Sequence, residues 1–332
     1  MIKLLFVLIL CFCSAGQAIE LFLWQPSSDH AIFVLPKRDG ETREQAVQNY
    51  IDTVRANPNI GSFPPKLTGE SKIMDLPEKD FRARVLLLAN KKNDHRGRGK
   101  RIFRYINLYK ETLSYPFVLP VGARASLLES EKEDFLKALT DEFDGINALG
   151  GADVAPSHYG ERVDGATGFN EERDMYEIEV IQAFTKDETP RMVIGQCRGC
   201  QITIVALGGS LIQHIPAEVK ASINHRFGKH NIRISGAMDN ELRVILGDIM
   251  EVMVNTYHHQ AGDPEDIPDE LRITAIAEDG VIEALQFKNG RGSIVQFHSE
   301  LLPDHLRRRF FSYYTHKLRK ESSIYTCERV FK

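Results

Sequence analysis

The sequence predicts an α/β protein built on a mostly parallel, doubly wound sheet with helices on both faces. Three observations carry that expectation. From Arg84 onward, short runs of branched and aromatic apolar residues alternate with longer stretches of helical period, the order that builds a parallel sheet. The segments with chemical potential all follow predicted strands, where such sheets bind ligands. At 332 residues and 42% hydrophobic content, the chain can fill a full core, as one large domain or two small ones. A formal charge of -4 argues against a general nucleic-acid binder.

Taken in order, residues 1–18 read as a targeting segment. Lys3 gives the positive start, Leu4 to Cys13 an uninterrupted apolar run, and Gly16-Gln17-Ala18 a small-residue cleavage site. The run is too short for an ordinary membrane span. We therefore expect a cleaved signal, no stable membrane anchor, and a mature chain starting at Ile19 in the periplasm or outside the cell. Bulky Phe12 argues against lipid attachment at Cys13. Cleavage would leave Cys197, Cys200 and Cys327, which do not make a disulfide framework.

Residues 19–80 form an accessory segment. Ala31-Ile32-Phe33-Val34-Leu35 reads as a strand, and Thr42 with Gln45 forms a capping box ahead of a helix with Ala46, Tyr50, Ile51 and Val54 on one face. Pro58, Pro64 and Pro65 then break the chain. The segment is short for an independent domain, so it is expected to pack on the main domain, 81–332. There, strands fit 85–89, 117–119, 146–149 and 192–195, and helices 101–112, 130–139, 171–184 and 199–207. Later strands fit 230–234, 252–255, 273–277, 282–287 and 293–297, and a closing amphipathic helix fits 303–319. No internal repeat or low-complexity tract interrupts the pattern.

The most informative stretch is Ile194-Gly195-Gln196-Cys197-Arg198-Gly199-Cys200-Gln201. A cysteine between a strand and a helix, flanked by glycines, has the form of a nucleophile elbow. The helix start offers free N–H groups and a positive dipole end, which favour a thiolate and leave donors for an oxyanion. Alone, the octapeptide also fits a buried structural cysteine. Downstream, Ile294-Val295-Gln296-Phe297 ends in His298-Ser299-Glu300. A thiol nucleophile needs a base, and the base an orienting acceptor. At i and i+2 His298 and Glu300 leave a strand end on one side. A third segment, Asp144 to Asp153, is a strand ending in Gly150-Gly151, where a backbone N–H can approach a reacting carbonyl.

The motifs GxCxGxQ, GGxDxxPxxYG and QFHxE together resemble the class I glutamine amidotransferase-like superfamily, and within it the γ-glutamyl hydrolases similar to γ-glutamyl-γ-aminobutyrate hydrolase. Arg173-Asp174-Met175-Tyr176-Glu177, Ala206-Leu207-Gly208-Gly209-Ser210-Leu211, Val254-Asn255-Thr256-Tyr257-His258-His259-Gln260 and Asp279-Gly280-Val281-Ile282-Glu283-Ala284 fit the same branch. The resemblance runs from about Arg84 to Lys317 and implies a flavodoxin-like fold. It implies Cys197 as nucleophile, His298 as base, Glu300 as orienter, and the backbone N–H groups of Gly151 and Arg198 as oxyanion hole. It also implies that Gln201 contacts the glutamyl group and that Tyr257, His258, His259 and Gln260 line its pocket.

Beside these roles stand plainer ones. Gln201 fits local bonding at a helix start equally well, and the Arg198 side chain reads as solvated. Arg173 and Glu177 read as an i,i+4 pair with a structural role. The tandem histidines invite a zinc site with Cys197, but on a strand they point to opposite faces; no metal and no organic cofactor are expected. Cys197 and Cys200 have the C-x-x-C spacing of a redox gate, against which Cys200 reads as a small inward hydrophobe. Lys91, Lys92, Arg96, Arg98, Lys100, Arg101 and Arg104 form a basic cluster that reads as a solvated loop balanced by the acidic Asp263–Glu270 stretch, or, at the cleft rim where the resemblance places it, as a surface that attracts anionic substrates.

The expected function is hydrolysis of a small-molecule γ-glutamyl amide through a thioester. A glutaminase subunit feeding ammonia to a synthase is the rival among enzymes, and the export signal argues against it. A non-catalytic binding protein on the same fold is the rival from another class, and the intact triad argues against that.

Overall fold

The computed structural model describes residues 19–27, 31–57, 60, 71–88, 101–186, 191–220 and 222–330. The expected leader, the prolines at 58, 64 and 65, and the basic loop up to Lys100 lie outside the described residues. The capping box at Thr42 and Gln45 forms reciprocally, at 3.2 and 2.8 Å, and starts α1 (Arg43–Ala56), which buries Ala46, Val47, Tyr50, Ile51 and Val54 as its 3.6-residue period requires.

Through the main region the expected alternation is observed. It runs β4 (Arg84–Leu88), α2 (Arg101–Glu111), β5 (Tyr115–Leu119), α3 (Val121–Ala125), α4 (Lys132–Glu142), β6 (Gly145–Ala148), α5 (Glu171–Thr185), β7 (Met192–Gln196) and α6 (Arg198–Ala206). The second half is strand-rich: β8 (Leu211–Ile212), α7 (Ile215–Glu218), β9 (Lys229–Ile234), α8 (Glu241–Leu246), β10 (Glu251–Asn255), β11 (Ala261–Gly262), β12 (Leu271–Ala277), β13 (Ile282–Phe287), β14 (Ser293–Val295) and α9 (Asp304–Val330). Ahead of all these lie β1 (Glu20–Gln25), β2 (Phe33–Lys37) and β3 (Lys72–Met74).

Among the described residues twelve strands form one sheet in the order β10-β9-β12-β13-β14-β7-β6-β4-β5-β2-β1-β3. Its centre, β14-β7-β6-β4-β5-β2, is parallel, as βα units demand. Both flanks are antiparallel meanders. Residues 19–80 therefore extend the main sheet: β2 pairs with β5 at Phe33 and Val118, and Trp24, Phe33 and Tyr50 pack ring to ring.

Helices cover both faces. On β6, Gly145 is approached by Leu318 of α9 and Asn147 donates to the Tyr109 hydroxyl of α2 at 3.0 Å, so these two residues face one layer. Helices α5 and α6 pack together in the other layer. β4, β5 and β6 are buried almost throughout, and Val85–Leu88 and Phe117–Leu119 accordingly read as continuous apolar runs. Among the described residues no helix is long and apolar enough to cross a membrane.

Candidate active site

Cys197 stands between β7 and α6 with φ 55° and ψ -115°, a conformation that L residues rarely hold. Two glycines make the turn possible. A Cβ on Gly199 would lie 1.9 Å from the Ala148 carbonyl oxygen, and one on Gly195 would lie 2.5 Å from the Gly199 oxygen. The Cys197 N–H donates to Val295 O at 2.9 Å, tying the elbow to β14. This is the strand–turn–helix context expected of a nucleophile elbow.

β14 also delivers His298, the residue expected to act as base. The His298 Nδ1 lies 2.8 Å from Glu300 Oε1, which leaves Nε2 for the thiol. Glu300 is not on the strand, as the i,i+2 argument assumed. It lies in a single 3-10 turn, Ser299–Leu301, and reaches His298 because that turn folds back. Burial alone would lower the His298 pKa. Hydrogen bonds with Cys197 and with Glu300 outweigh it and push the imidazole up to about 10. Burial would raise the Glu300 pKa, but the His298 hydrogen bond and charge, helped by a hydrogen bond with Tyr105, hold it below the usual carboxylate range.

Two residues that the sequence did not single out hold this pair in place. The Asn255 side chain, at the end of β10, accepts from His298 N at 3.0 Å and donates to His298 O at 2.8 Å. It thereby fixes the backbone of the base. Tyr105 on α2 lies close enough to help hold the Glu300 carboxylate in its charged form. Asn255 lies inside the stretch Val254–Gln260, so the resemblance was the available signal; nothing local marks Tyr105.

Arg198 corrects an expectation. Its side chain is 1% exposed rather than solvated, and its guanidinium pairs with both Asp174 and Glu177 of α5. Arg173 binds Glu177 at 2.7 Å, so the expected i,i+4 pair is one edge of a buried four-residue cluster. Asp174 also accepts from Ala155 N at 2.8 Å, joining the cluster to the loop after Gly151. Gly151 packs on it directly, since a Cβ there would lie 2.2 Å from Arg173 Nη1 and 2.9 Å from Arg198 Cδ. The Arg198 amide is the first N–H of α6 and has no acceptor within its helix. The two amides proposed for an oxyanion thus come from segments packed on one another.

Around the thiol, three segments are bound together. Gln201 Nε2 donates to Gln260 O at 2.9 Å, so it bonds neither locally nor freely but clamps the Tyr257–Gln260 loop to α6. Gln260 Oε1 accepts from Val154 N at 3.3 Å, and His259 Nε2 lies 2.9 Å from Asp153 Oδ2. Tyr257 is half exposed, with its ring 5.8 Å from that of His298, at the rim of the site. His258 departs from the expected pocket role: it is 4% exposed and turned towards Glu283, 3.3 Å from its Oε1. The loop is irregular, not a strand, yet the two rings diverge, and neither makes a zinc site with Cys197. Cys197 and Cys200 are both free. Cys200 packs in the core, and burial, then the charge of Glu283, pushes its thiol well above the ordinary value, the behaviour of an inert hydrophobe.

With this geometry in hand, comparison with known proteins gives first the class and then the family. The fold is that of glutamine amidotransferase domains. It superposes on the glutaminase domain of Trypanosoma brucei CTPS with bound acivicin at a TM-score of 0.53 and 15% identity, over 72% of this chain and 94% of that one. Residues 89–300 match the peptidase C26 family. The chain belongs to that family and is a glutamine amidotransferase-like hydrolase. Among relatives, it is 30% identical over 207 residues to protein NtpR of Enterococcus hirae, covering 59% of this chain and 80% of that protein. It is 29% identical over 209 residues to the γ-glutamyl-γ-aminobutyrate hydrolase PuuD of Escherichia coli, covering 59% and 77%.

Proposed function

We propose that this protein cleaves γ-glutamyl amide bonds through a thioester on Cys197. The thiolate attacks the γ-carbonyl carbon, and the resulting oxyanion rests on the Gly151 and Arg198 amides. His298 gives its proton to the amine nitrogen as the C–N bond breaks, leaving a Cys197 thioester. It then takes a proton from water, whose oxygen attacks the thioester and releases glutamate and the free thiol. Glu300 keeps Nδ1 protonated throughout, so Nε2 alone exchanges protons.

The observation that carries this reading is the Cys197 elbow at positive φ facing an imidazole that Glu300 orients at 2.8 Å. The relative PuuD, named for hydrolysis of γ-glutamyl-γ-aminobutyrate, supports the choice of bond. Export to the periplasm or beyond remains part of the proposal on the strength of residues 1–18; N-terminal sequencing of the native protein should find Ile19 first.

The test is glutamate release from γ-glutamyl-p-nitroanilide and a panel of γ-glutamyl amides, with intact-mass detection of a γ-glutamyl adduct on Cys197 in acid-quenched enzyme. Turnover with an adduct that disappears in Cys197→Ala supports the reading. Release that survives Cys197→Ala, or no release from any γ-glutamyl amide, overturns it.

A further inference from the structure

The motif Asp279–Ala284 has no part in the triad, yet it builds a second constellation with the histidines His225, His230 and His258. Glu283 is fully buried on β13 and faces all three: its Oε1 lies 3.2 Å from His225 Nδ1, 3.0 Å from His230 Nε2 and 3.3 Å from His258 Nε2. We propose that His225 Nδ1, His258 Nε2 and the Glu283 carboxylate bind a divalent transition-metal ion of the zinc class.

Three features support the assignment. The first is how the two rings are held. His225 Nε2 lies 3.0 Å from Asp279 Oδ2, and His258 Nδ1 lies 3.1 Å from the Gln260 carbonyl oxygen. A carboxylate and a carbonyl only accept, so each of these nitrogens carries the proton. When both rings are neutral, His225 Nδ1 and His258 Nε2 are lone pairs aimed at a carboxylate, and three electron-rich atoms converge where positive charge, a metal ion or added protons, must sit. An oriented imidazole whose far N–H is bound to a carboxylate or carbonyl is the usual setting of a metal ligand.

The second feature is that the same atoms lack hydrogen bonds. Among the described residues, His225 Nδ1, His258 Nε2 and both Glu283 oxygens are buried without the alignment of a hydrogen bond, although Oε1 lies within ion-pair distance of both rings. Buried polar atoms in that state are rare and call for an explanation. The third is size. The ligand atoms of the three residues all lie within 4.8 Å of one another. Zinc bonds of about 2.0–2.2 Å to nitrogen and oxygen place neighbouring tetrahedral ligands about 3.3–3.6 Å apart, close to the separations here. Two buried carboxylates, Asp279 and Glu283, also match the charge of one divalent ion.

The site lies away from the thiol, and its consequence is structural. His258 is next to His259 in the loop that Gln201 and Asp153 fix beside Cys197, so the ion would anchor that loop to β13 from behind. His230 would orient Glu283 without ligating.

The test is titration of chelator-treated full-length protein with Co²⁺, followed by visible absorption and melting temperature, then displacement by Zn²⁺. The expected result is one Co²⁺ per chain with the strong visible bands of four-coordinate cobalt, and a Tm that rises with metal. Cys197→Ser should keep the spectrum; its loss there would move the ion to the catalytic thiol and overturn the assignment. Glu283→Gln and His258→Asn should abolish the spectrum. Because both lie in the core, Asp279→Asn provides a milder variant, expected to weaken binding about 10–100-fold. If wild-type protein shows neither cobalt bands nor a Tm shift, or if Asp279→Asn binds as tightly as wild type, the cluster is a proton-filled core and the proposal fails.

Discussion

Two buried charge clusters in the molecule are made from different cations. On the side of α5, Arg198 and Arg173 neutralise Asp174 and Glu177. On the side of β13, histidines face Glu283 and Asp279. A guanidinium is charged at every accessible pH and offers a fixed fork of donors, so the first cluster has one state. An imidazole exposes a lone pair or a proton depending on its surroundings, so the second can exchange its occupant. His298, the proposed base, belongs to the second kind in chemistry. It is buried like the first, and its carboxylate and thiol partners set its state. Permanent charge serves where the backbone must not move, and imidazole where a proton or an ion must.

The largest test removes the candidate nucleophile itself. Cys197→Ala should lower kcat by about 10⁴-fold or more while circular dichroism stays unchanged. His298→Asn should cost nearly as much and Glu300→Gln less. Residual turnover near wild type would detach the clusters from catalysis altogether. Next in size is Arg198→Met, which leaves Asp174 and Glu177 without their shared guanidinium. Urea unfolding should show a loss of about 3–5 kcal/mol. A change below about 1 kcal/mol would mean that the arginine cluster does not fix the elbow, and the contrast would collapse.

A smaller effect is expected at Asn255. Asn255→Ala removes both bonds to the His298 backbone, at a cost of about 1–3 kcal/mol. Its kcat should fall with KM little changed, since the loss is in aiming the base. Equal falls in kcat and stability of Asn255→Ala and of an unrelated core variant would show general loosening only. The smallest effect is one of pH. The His298 pKa is pushed up to about 10 from 6.5, so its imidazolium stabilises the fold fully below 6.5 and loses that contribution as pH rises through about 10. Glu300, held low, acts from the other side: its contribution is lost as pH falls through its folded pKa. The stability gap between wild type and His298→Asn should therefore narrow from pH 6 towards alkaline pH. A constant gap would count against the raised pKa.

Much of this was legible in sequence because period and punctuation are local. The capping box at Thr42, the apolar runs of β4 and β5, and the glycines about Cys197 each carry their structural reason within a few residues. What escaped is long-range. β1 pairs with β2 and the edge strand β3 pairs with β1, across chain separations that no local turn signal announces. Arg198 reads as an exposed charge until α5 is known to carry Asp174 and Glu177 against it. His258 was assigned to the pocket because it shares a motif with Tyr257, but an irregular loop has no alternation to say which ring faces in. Tyr105 and Glu300 meet only through the tertiary fold.

The position of β14 has a consequence for biosynthesis. It is last among the described strands to be translated, yet it lies between β7 and β13 and carries His298 to the Cys197 elbow. Its parallel pairing with β7 closes a long stretch of chain, and that closure must be completed before its contacts contribute. A growing chain can thus display its cysteine, and even form β7 and α6, with no imidazole to activate the thiol. Proteolytic fragments that end before β14 would share that fate. On the proposed mechanism, the chain gains its activity only when β14 slots home between β7 and β13.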